Sequence, residues 1–558
     1  MAFWSTIAHK LKEMIRKMIG TRTIEQKLHV APVISSQMEE AIQLWTDMYK
    51  NKAPWLKEPT FADPSRVVSL GLPSMIASEK ARTALLEFQS EITTPTEEVE
   101  VENPEYMKAQ EEQAESGDQF LVTSQPPTIK QDKPIGSTKR AEYLNAQYKK
   151  LKRKLRKYVE YGIAKGGLVI KPYVVMGEDS KGKKTAEIEF DFIQADAFYP
   201  LAFDNSGNIT EAAFLQTSTE KDTIYRRLEY HKWKGNSVEI LNSAFKSTNI
   251  QNLGDMSGID LGEEVPLTSV NEWKDLQTKT VINNVRRPLF AYFRMPQANT
   301  VDLSSPLGVS GFSRAVDLIK DADMQYSRLL WEYEGGELAI DIDRDALNFV
   351  EGTAKDGSRV EHSVLSQLQQ RLYRKVDIGI DGNTYQPYAP ALRDSSYIQG
   401  LNTILMRIED VVALSRGTLS DAASEARTAT ELKIMKQRSY QENAEIQQAL
   451  EDALNDVVYV MDAYCDLYQI TEKGEYDVSF EWDDSLVTDV DTELNKRVML
   501  MQNGLSSKLE TRMWYFGETE RQAQESLIKI QEESQKQMQQ DMAMQANQIQ
   551  MNSMVEEE

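Results

Sequence analysis

The chain has 558 residues, enough for about three or four domains. It holds 87 Asp and Glu against 64 Lys and Arg, a net charge of -23 and a pI near 4.9, which excludes general clinging to nucleic acid or to anionic membranes but not a surface that surrounds DNA and repels it. The single Cys465 excludes an intrachain disulfide framework and fits a reducing cytosol, and no run of about 18 apolar residues can span a membrane.

Phe3, Trp4, Ile7, Leu11 and Ile15 alternate with Lys10, Lys12, Arg16 and Lys17. That pattern predicts a surface-docking amphipathic helix rather than a signal peptide or membrane anchor. Residues 33–90 read as helix with breaks, Pro54, Pro59 and Pro64 punctuating, and a second helix over Pro73–Ser90. From Thr93 to Pro134 glutamates and prolines replace apolar residues, which predicts an extended or mobile insertion without a packed core. Residues 138–165 form a basic helix, Lys149 to Lys157 supplying most of its charge. It is read as a solvated or subunit-facing helix balancing carboxylates, with phosphate contact as the competing reading. Strands follow at Leu168–Val175, Ala186–Phe192, Ala213–Thr217, Ile224–Trp233, Ser237–Ile240 and Leu289–Phe293, separated by Gly, Asn and Asp turns. They define an antiparallel-rich α+β domain.

Three helices organise the next stretch. Phe312, Ala315, Ile319, Ala322, Tyr326, Leu329 and Tyr333 make one stripe of a helix running from Pro306 to Glu334. Ile398, Leu401, Ile404, Leu405, Ile408 and Val412 make another over Asp394–Ser415. A third, Thr428–Tyr468, carries Ile446, Leu450, Leu454, Val457, Met461 and Cys465 in register, and at 1.5 Å per residue is about 60 Å long. Between the first two lies a small insert with a strand at Leu338–Ile342, a helix at Ser363–Arg374 and a strand near Val376–Ile380. The arrangement predicts a stalk with a tip, and several striped helices rather than one sizeable core. Tyr476–Trp482 alternates like a strand. Val487–Asn503, Lys508–Phe516 and Arg521–Glu533 are helical, and the Gln/Met-rich tail from Gln535 is polar.

The motifs that approach catalytic signatures are each incomplete. Gly177-Glu-Asp-Ser-Lys-Gly-Lys-Lys184 approaches a phosphate loop, but Lys184 stands where Ser or Thr is required and both flanks read as strand, so a hairpin turn is expected. Asp341, Asp343 and Asp345 open like a calcium loop, yet Ala346 replaces the needed Gly and Gly352 the needed Glu. Asp483, Asp484, Asp489 and Asp491 read as helix capping and solvated charge. His9, His29, His231 and His362 have no metal spacing. No enzyme, catalytic residue, metal site or cofactor is called for.

The run Arg287–Asn299, then Ser305-Pro-Leu-Gly-Val-Ser310 and a helix with Asp317, Asp321 and Asp323, resembles portal proteins of long-tailed double-stranded-DNA phages. Tyr161–Gly167, Thr428–Glu431 and Phe480–Ser485 followed by Gly504–Lys508 fit the same pattern, in order, over residues 140–535. The resemblance implies an α+β portal fold in a ring of about twelve subunits at one capsid vertex, through which DNA is packaged and ejected. Its anatomy would divide the chain into an N-terminal helical part of the wing (1–92), an acidic insertion (93–137), the α+β wing (138–305), stem helix 1 (306–336), the clip (337–392) and stem helix 2 (393–415). A tunnel loop (416–427), the long wing helix and strand (428–485), crown helices (486–534) and a polar tail (535–558) would complete it. Arg416, Thr418, Ser420, Asp421, Ser424, Glu425 and Arg427 would form the DNA-facing loop, and Arg371, Arg374 and Lys375 the partner-docking face of the clip. Implied partners are other copies of the chain, sequence-independent double-stranded DNA, the terminase large subunit, a head–tail adaptor, and major capsid and scaffolding proteins, with no membrane. The implied location is the virion, and the host cytoplasm during assembly. A carboxylate-rich channel avoids gripping phosphates, which suits the charge. The alternatives are another virion structural protein, such as an adaptor or baseplate component, and a nucleotide-dependent nucleic-acid-processing enzyme using Lys183.

Overall fold

The computed structural model describes residues 24–30, 32–58, 66–86, 88–102, 128–178, 184–220, 223–247, 261–343, 348–353, 359–363, 373–376, 385–421, 429–482, 490–518, 522–524 and 526–531. The chain divides into two compact units, 1–482 and 483–558.

The larger unit starts with α1 (Ile24–Leu28), α2 (Ser36–Tyr49) and α3 (Leu72–Ala84). Ser35 caps α2 by accepting from the Met38 N–H, as a helix N-terminus requires. The helix expected to reach Ser90 stops at Ala84, and Gln89–Thr93 is instead strand β1. The reason lies far away in sequence: β1 pairs antiparallel with a strand near residue 480, burying Ser90 and Ile92 on alternate positions, and Phe88 stacks on Trp482 at 4.3 Å. The acidic stretch is not wholly without order. Its ends pair as β2 (Thr96–Glu102) and β3 (Thr128–Pro134), in register from Thr96↔Pro134 to Glu102↔Thr128; 103–127 lie outside the described residues.

The basic helix is α4 (Lys139–Lys165). Leu144, Tyr148, Leu151, Leu155, Val159 and Ile163 bury one face completely. The opposite side meets carboxylates: Lys149 lies 3.5 Å from Glu91, and Lys150 3.5 Å from both Glu187 and Glu189. Strands β4 (Gly167–Glu178), β5 (Lys184–Gln194), β6 (Phe198–Phe203), β7 (Ile209–Glu220), β8 (Thr223–Trp233), β9 (Ser237–Ser247), β10 (Glu263–Val265), β11 (Lys279–Asn283) and β12 (Ala291–Arg294) follow. They build two sheets, one in the order β12-β4-β5 and one in the order β10-β9-β8-β7-β6 with β11 also on β9. Glu178 pairs with Lys184 across β4 and β5, so the phosphate-loop lookalike joins two antiparallel strands and no helix follows it. Lys171 of the smaller sheet reaches Glu229 of the larger at 2.6 Å, with Arg227 at 2.7 Å and His231 Nε2 at 2.7 Å from the same carboxylate.

The helix expected from Pro306 begins later. Ser313–Ala315 is one 3-10 turn and α5 is Val316–Gly335. Leu307–Phe312 instead runs as a buried strap beneath the end of α4. Gly311 N–H donates to the Ile163 carbonyl and Met295 N–H to the Gly166 carbonyl. Gly166 has φ 91°, and a Cβ there would sit 2.5 Å from the Gly308 carbonyl oxygen; one on Gly308 would overlap the Gly166 oxygen. Two backbones cross here with room only for glycine.

The insert holds β13 (Ala339–Asp343), β14 (Asn348–Thr353), β15 (Arg359–Ser363), β16 (Tyr373–Val376) and β17 (Tyr385–Tyr388). β13 pairs parallel with β16 and antiparallel with β17, and β14 with β15. The expected strand at 338–342 is β13. Of the expected helix at 363–374, Ser363, Tyr373 and Arg374 are strand residues instead, because both ends are drawn into sheet pairing; 364–372 lie outside the described residues. The second expected strand lies earlier, ending at Val376, with 377–380 also outside them. Asp341 and Asp343 are cross-strand neighbours of Arg374 and Val376, so the start of the calcium-loop lookalike is sheet, while Asp345 and Ala346 lie outside the described residues.

Next come α6 (Asp394–Val411), α7 (Ala429–Leu467) and β18 (Asp477–Glu481), the partner of β1. Ile446, Leu450, Leu454, Val457, Met461 and Cys465 of α7 are buried, in the register the sequence predicts. The unit is held by one continuous core spanning α2, α3, α4, both sheets and α7, contrary to the expectation of striped helices without a sizeable core. Helices drawn as separate stripes share a single interior because the strand pairs bring them together. Arg140 ties the two longest: its guanidinium reaches Asp462 at 2.6 Å and Asp466 at 2.7 Å and also donates to the Thr471 and Glu472 carbonyls. Burial, outweighing the pull of Arg140, raises the Asp462 pKa.

The smaller unit contains α8 (Val490–Gln502) and α9 (Lys508–Phe516), close to the bounds expected. Ser507 and Glu510 form a reciprocal capping box at the start of α9, and Arg497 lies over the Trp514 ring at 4.4 Å. Of the expected helix at 521–533, 522–524 and 526–531 are helical. The N-terminal amphipathic helix, the aspartates 483, 484 and 489, and the tail from 535 lie outside the described residues.

Candidate functional site

The loop after α6 and the helix pair that carries it are the part of the chain the sequence marks for contact with DNA. α5 and α6 pack side by side. At the outer end, Arg393 holds Glu332 through Nε (3.1 Å), Nη2 (2.7 Å) and its backbone N–H (3.1 Å), and this guanidinium keeps the Glu332 carboxyl below its usual range. Bidentate geometry fixes the turn between helix and insert. At the inner end, Asp323 accepts from Trp55 Nε1 at 2.9 Å and from the Leu70 N–H at 2.8 Å, and Ser327 Oγ accepts from the Val68 N–H at 3.0 Å. Burial still raises the Asp323 pKa. The helix pair is thus clamped to 67–70 by side chains that look ordinary in the sequence.

The loop itself is built around Glu409, in the last turn of α6 and fully buried. Its Oε1 accepts from the Leu419 N–H at 2.6 Å and the Ser420 N–H at 2.9 Å; its Oε2 accepts from Ser420 Oγ at 2.8 Å. Asn402 Oδ1 takes the Asp421 N–H at 2.9 Å, and Thr418 Oγ1 donates to the Ser415 carbonyl. Ala413 at φ 54° and Gly417 at φ 88° reverse the chain. Ala413 carries a Cβ in a region that favours glycine, so the surrounding bonds must hold that turn. The helix end is closed from outside by Lys80 of α3, buried, which donates to the Val412 carbonyl at 2.7 Å and pairs with Glu442 of α7 at 2.6 Å. A cation at a helix C-terminus meets the negative end of the dipole. Burial lowers the Lys80 pKa despite Glu442.

Of the loop residues predicted from the sequence, Arg416, Thr418, Ser420 and Asp421 are brought together here. Arg416 is exposed and held by Asp410, Nε–Oδ1 3.1 Å and Nη2–Oδ2 2.6 Å, so its charge is partly spent within the subunit. Ser420 is buried and bonds inward. Ser424, Glu425 and Arg427 lie outside the described residues, as does Arg371. Arg374 and Lys375 lie on β16, opposite Asp341 and Ile342 of β13. Sequence reasoning missed Glu409, Asn402 and Lys80. A glutamate within the Ile408–Val412 apolar stripe was the one available signal. Among the described residues no group of His, Cys, Asp or Glu is placed to hold a metal ion, and no helix is long and apolar enough to cross a membrane.

A packed helix pair joined through a sheet insert, a loop held by a buried carboxylate and a long core helix make up the described site. The chain matches the family described as phage portal protein, SPP1 Gp6-like, over residues 40–540, and belongs to it. It is therefore a phage portal protein, which forms the DNA-packaging channel of the capsid, in a family that is structural and non-enzymatic. Such proteins are oligomeric rings at the capsid vertex, interacting with capsid, terminase and DNA. A search of the curated proteins finds no match.

Proposed function

We propose that about twelve copies close into a ring with the α5–α6 stalk around the channel, the 416–427 loop reaching towards the DNA, and the β13–β17 tip outside the capsid. The tip docks the terminase motor during packaging and a head–tail adaptor afterwards, and DNA leaves by the same path on ejection. The 486–534 helices form the crown, and 138–305 with 428–485 the wing. The observation that carries this reading is the Glu409 clamp: a buried carboxylate satisfying two backbone N–H groups and one hydroxyl fixes Leu419 and Ser420, the first part of a small polar loop, against the end of α6. Such a loop meets any duplex sequence with backbone and small side chains, not with base-reading groups. Arg416, tethered to Asp410, offers phosphates a weakened positive charge and so a light touch.

The test is the mass and symmetry of the purified protein by light scattering and electron-microscope class averages. A holed ring near twelve times 63.6 kDa supports the reading. A chain that stays monomeric with its scaffolding and capsid proteins present would refute it.

A further inference from the structure

The cations on the outer side of α4 are of two kinds. Lys149 and Lys150 are matched by Glu91, Glu187 and Glu189, and Lys152 donates to the Ser90 carbonyl. Arg153, Lys154 and Arg156 are exposed and make no ion pair among the described residues. Lys157, also exposed, lies over the Tyr158 and Tyr161 rings at 5.6 and 5.9 Å and has no carboxylate partner among them. At about 100° per residue these four positions fall within ~160° of the helix circumference, away from the stripe that buries Tyr148, Leu155 and Val159. Glu160, the one acid in 149–160, takes the Tyr49 hydroxyl at 2.6 Å.

This chain has carboxylates to spare, 87 against 64 basic residues, and α4 uses them where β1 and β5 come within reach. Four neighbouring cations without a carboxylate reverse the sign of the chain locally. Like charges three and four residues apart on a helix repel, so the cluster gains most when an anion covers it. Its support is firm, because the opposite face of α4 is fully buried. The row Arg153–Lys157 covers about 6 Å of helix axis, a length along which duplex DNA presents three or four phosphates, one per ~1.7 Å. Guanidinium and ammonium groups suit phosphate oxygens, and 149–157 contains no Asn or Gln to read a base edge.

We propose that the Arg153–Lys157 face of α4 is a sequence-independent contact for the phosphates of duplex DNA, separate from the loop after α6. It rests on the family assignment, and on neither the number of subunits nor the role of the loop. A chain of net charge -23 repels DNA over most of its surface, so this face holds a segment of duplex at one place without general adhesion.

Two measurements on the full chain test it. In the first, binding of a short labelled duplex of arbitrary sequence is followed by fluorescence anisotropy across a series of NaCl concentrations. Log affinity should fall linearly with log salt, and Arg153→Gln with Arg156→Gln should reduce the slope by about two, one per lost phosphate contact. Arg153→Lys with Arg156→Lys keeps both charges and should restore it. Lys149→Gln with Lys150→Gln makes the same change in net charge at matched cations and should leave the slope near that of the wild type. An unchanged urea midpoint in the Arg→Gln variant separates a lost contact from a lost fold. In the second, DNA should protect Lys154 and Lys157, but not Lys149, from acetylation by acetic anhydride, mapped by mass spectrometry. A wild-type chain without salt-dependent binding overturns the proposal, as do equal losses from the two glutamine pairs, which would make net charge alone responsible. So does an Arg→Gln variant that binds DNA as before but loses self-association in light scattering, since the face then serves a neighbouring acidic copy. Each of these failures leaves the family assignment and the ring reading standing.

Discussion

The core around α4 and α7 and the stalk made by α5 and α6 use the same apolar residue types to opposite ends. In the core, α4 buries an entire face and α7 buries nearly every apolar residue of its second half. In the stalk, only Ile408 and Glu409 of the whole of α6 are buried, and Trp331 of α5 with Ile398 and Val411 of α6 stand exposed. Monomers rarely leave large apolar side chains clustered on a helix pair. The core is closed within one chain, whereas most of α6 and the last turns of α5 keep apolar side chains open to solvent. Polar anchors follow the same division. Arg140 joins one core helix to another, while Glu409 and Lys80 hold the stalk's inner end in one shape without covering its sides.

The contrast breaks first where two backbones meet. Gly308→Ala places a Cβ on the Gly166 carbonyl, and because backbone cannot rotate away the cost should be above about 3 kcal/mol; soluble yield and a urea titration check it. Removing Arg140 leaves Asp462 and Asp466 without their main counter-charge, and Arg140→Ala should cost about 3 kcal/mol, read from the shift in urea midpoint with an unchanged slope. Glu409→Ala strands two N–H groups and a hydroxyl; about 2 kcal/mol is expected. That loss should be local, so hydrogen exchange at Leu419 and Ser420 should accelerate while amides of α4 keep their protection. Equal acceleration in both would erase the distinction between core and stalk.

A pH titration sharpens the same line. Glu229 is fully buried; against that desolvation, Lys171, His231 and Arg227 hold its pKa well below the ordinary carboxylate value. A depressed folded pKa contributes stability that is complete above the unfolded value and is lost as pH falls through the folded one. Core stability should therefore decline on acidification below about pH 4, and Glu229→Gln should flatten that slope while lowering stability at neutral pH. The smallest effect is Trp331→Ala. At 68% exposure it should alter monomer unfolding by less than about 0.5 kcal/mol, yet reduce the ring fraction seen by light scattering.

The sequence made the long helices, most strands of the larger unit and α8 and α9 of the smaller one legible because each carries its own period. The α7 stripe from Ile446 to Cys465 is such a case. It hid what depends on distant partners. Gln89 and Ser90 closed an expected helix, but β18 claims Gln89–Thr93 as a strand. Leu307–Phe312 continued the α5 stripe, but a strap beneath α4 buries the same residues without a helix. The ends of the insert's expected helix were drawn into β15 and β16. At the loop, small polar residues and Arg416 were readable, while Glu409 was not, since a glutamate in a helix is ordinarily a solvated one. The motifs Tyr161–Gly167 and Ser305–Ser310 carried the family resemblance as separate strings; in the fold they are the two sides of one crossing.

That crossing has a mechanical consequence. Where side chains separate two elements, a pull on one is partly absorbed by rotamer changes before the other moves. At Gly166 and Gly308 nothing lies between the backbones, and the Gly311 and Met295 N–H groups stitch the strap to the α4 terminus on either side. Tension or torque applied to the strap ahead of α5 passes directly to the end of α4, so the crossing is a stiff joint that transmits displacement between the two helices and does not absorb it.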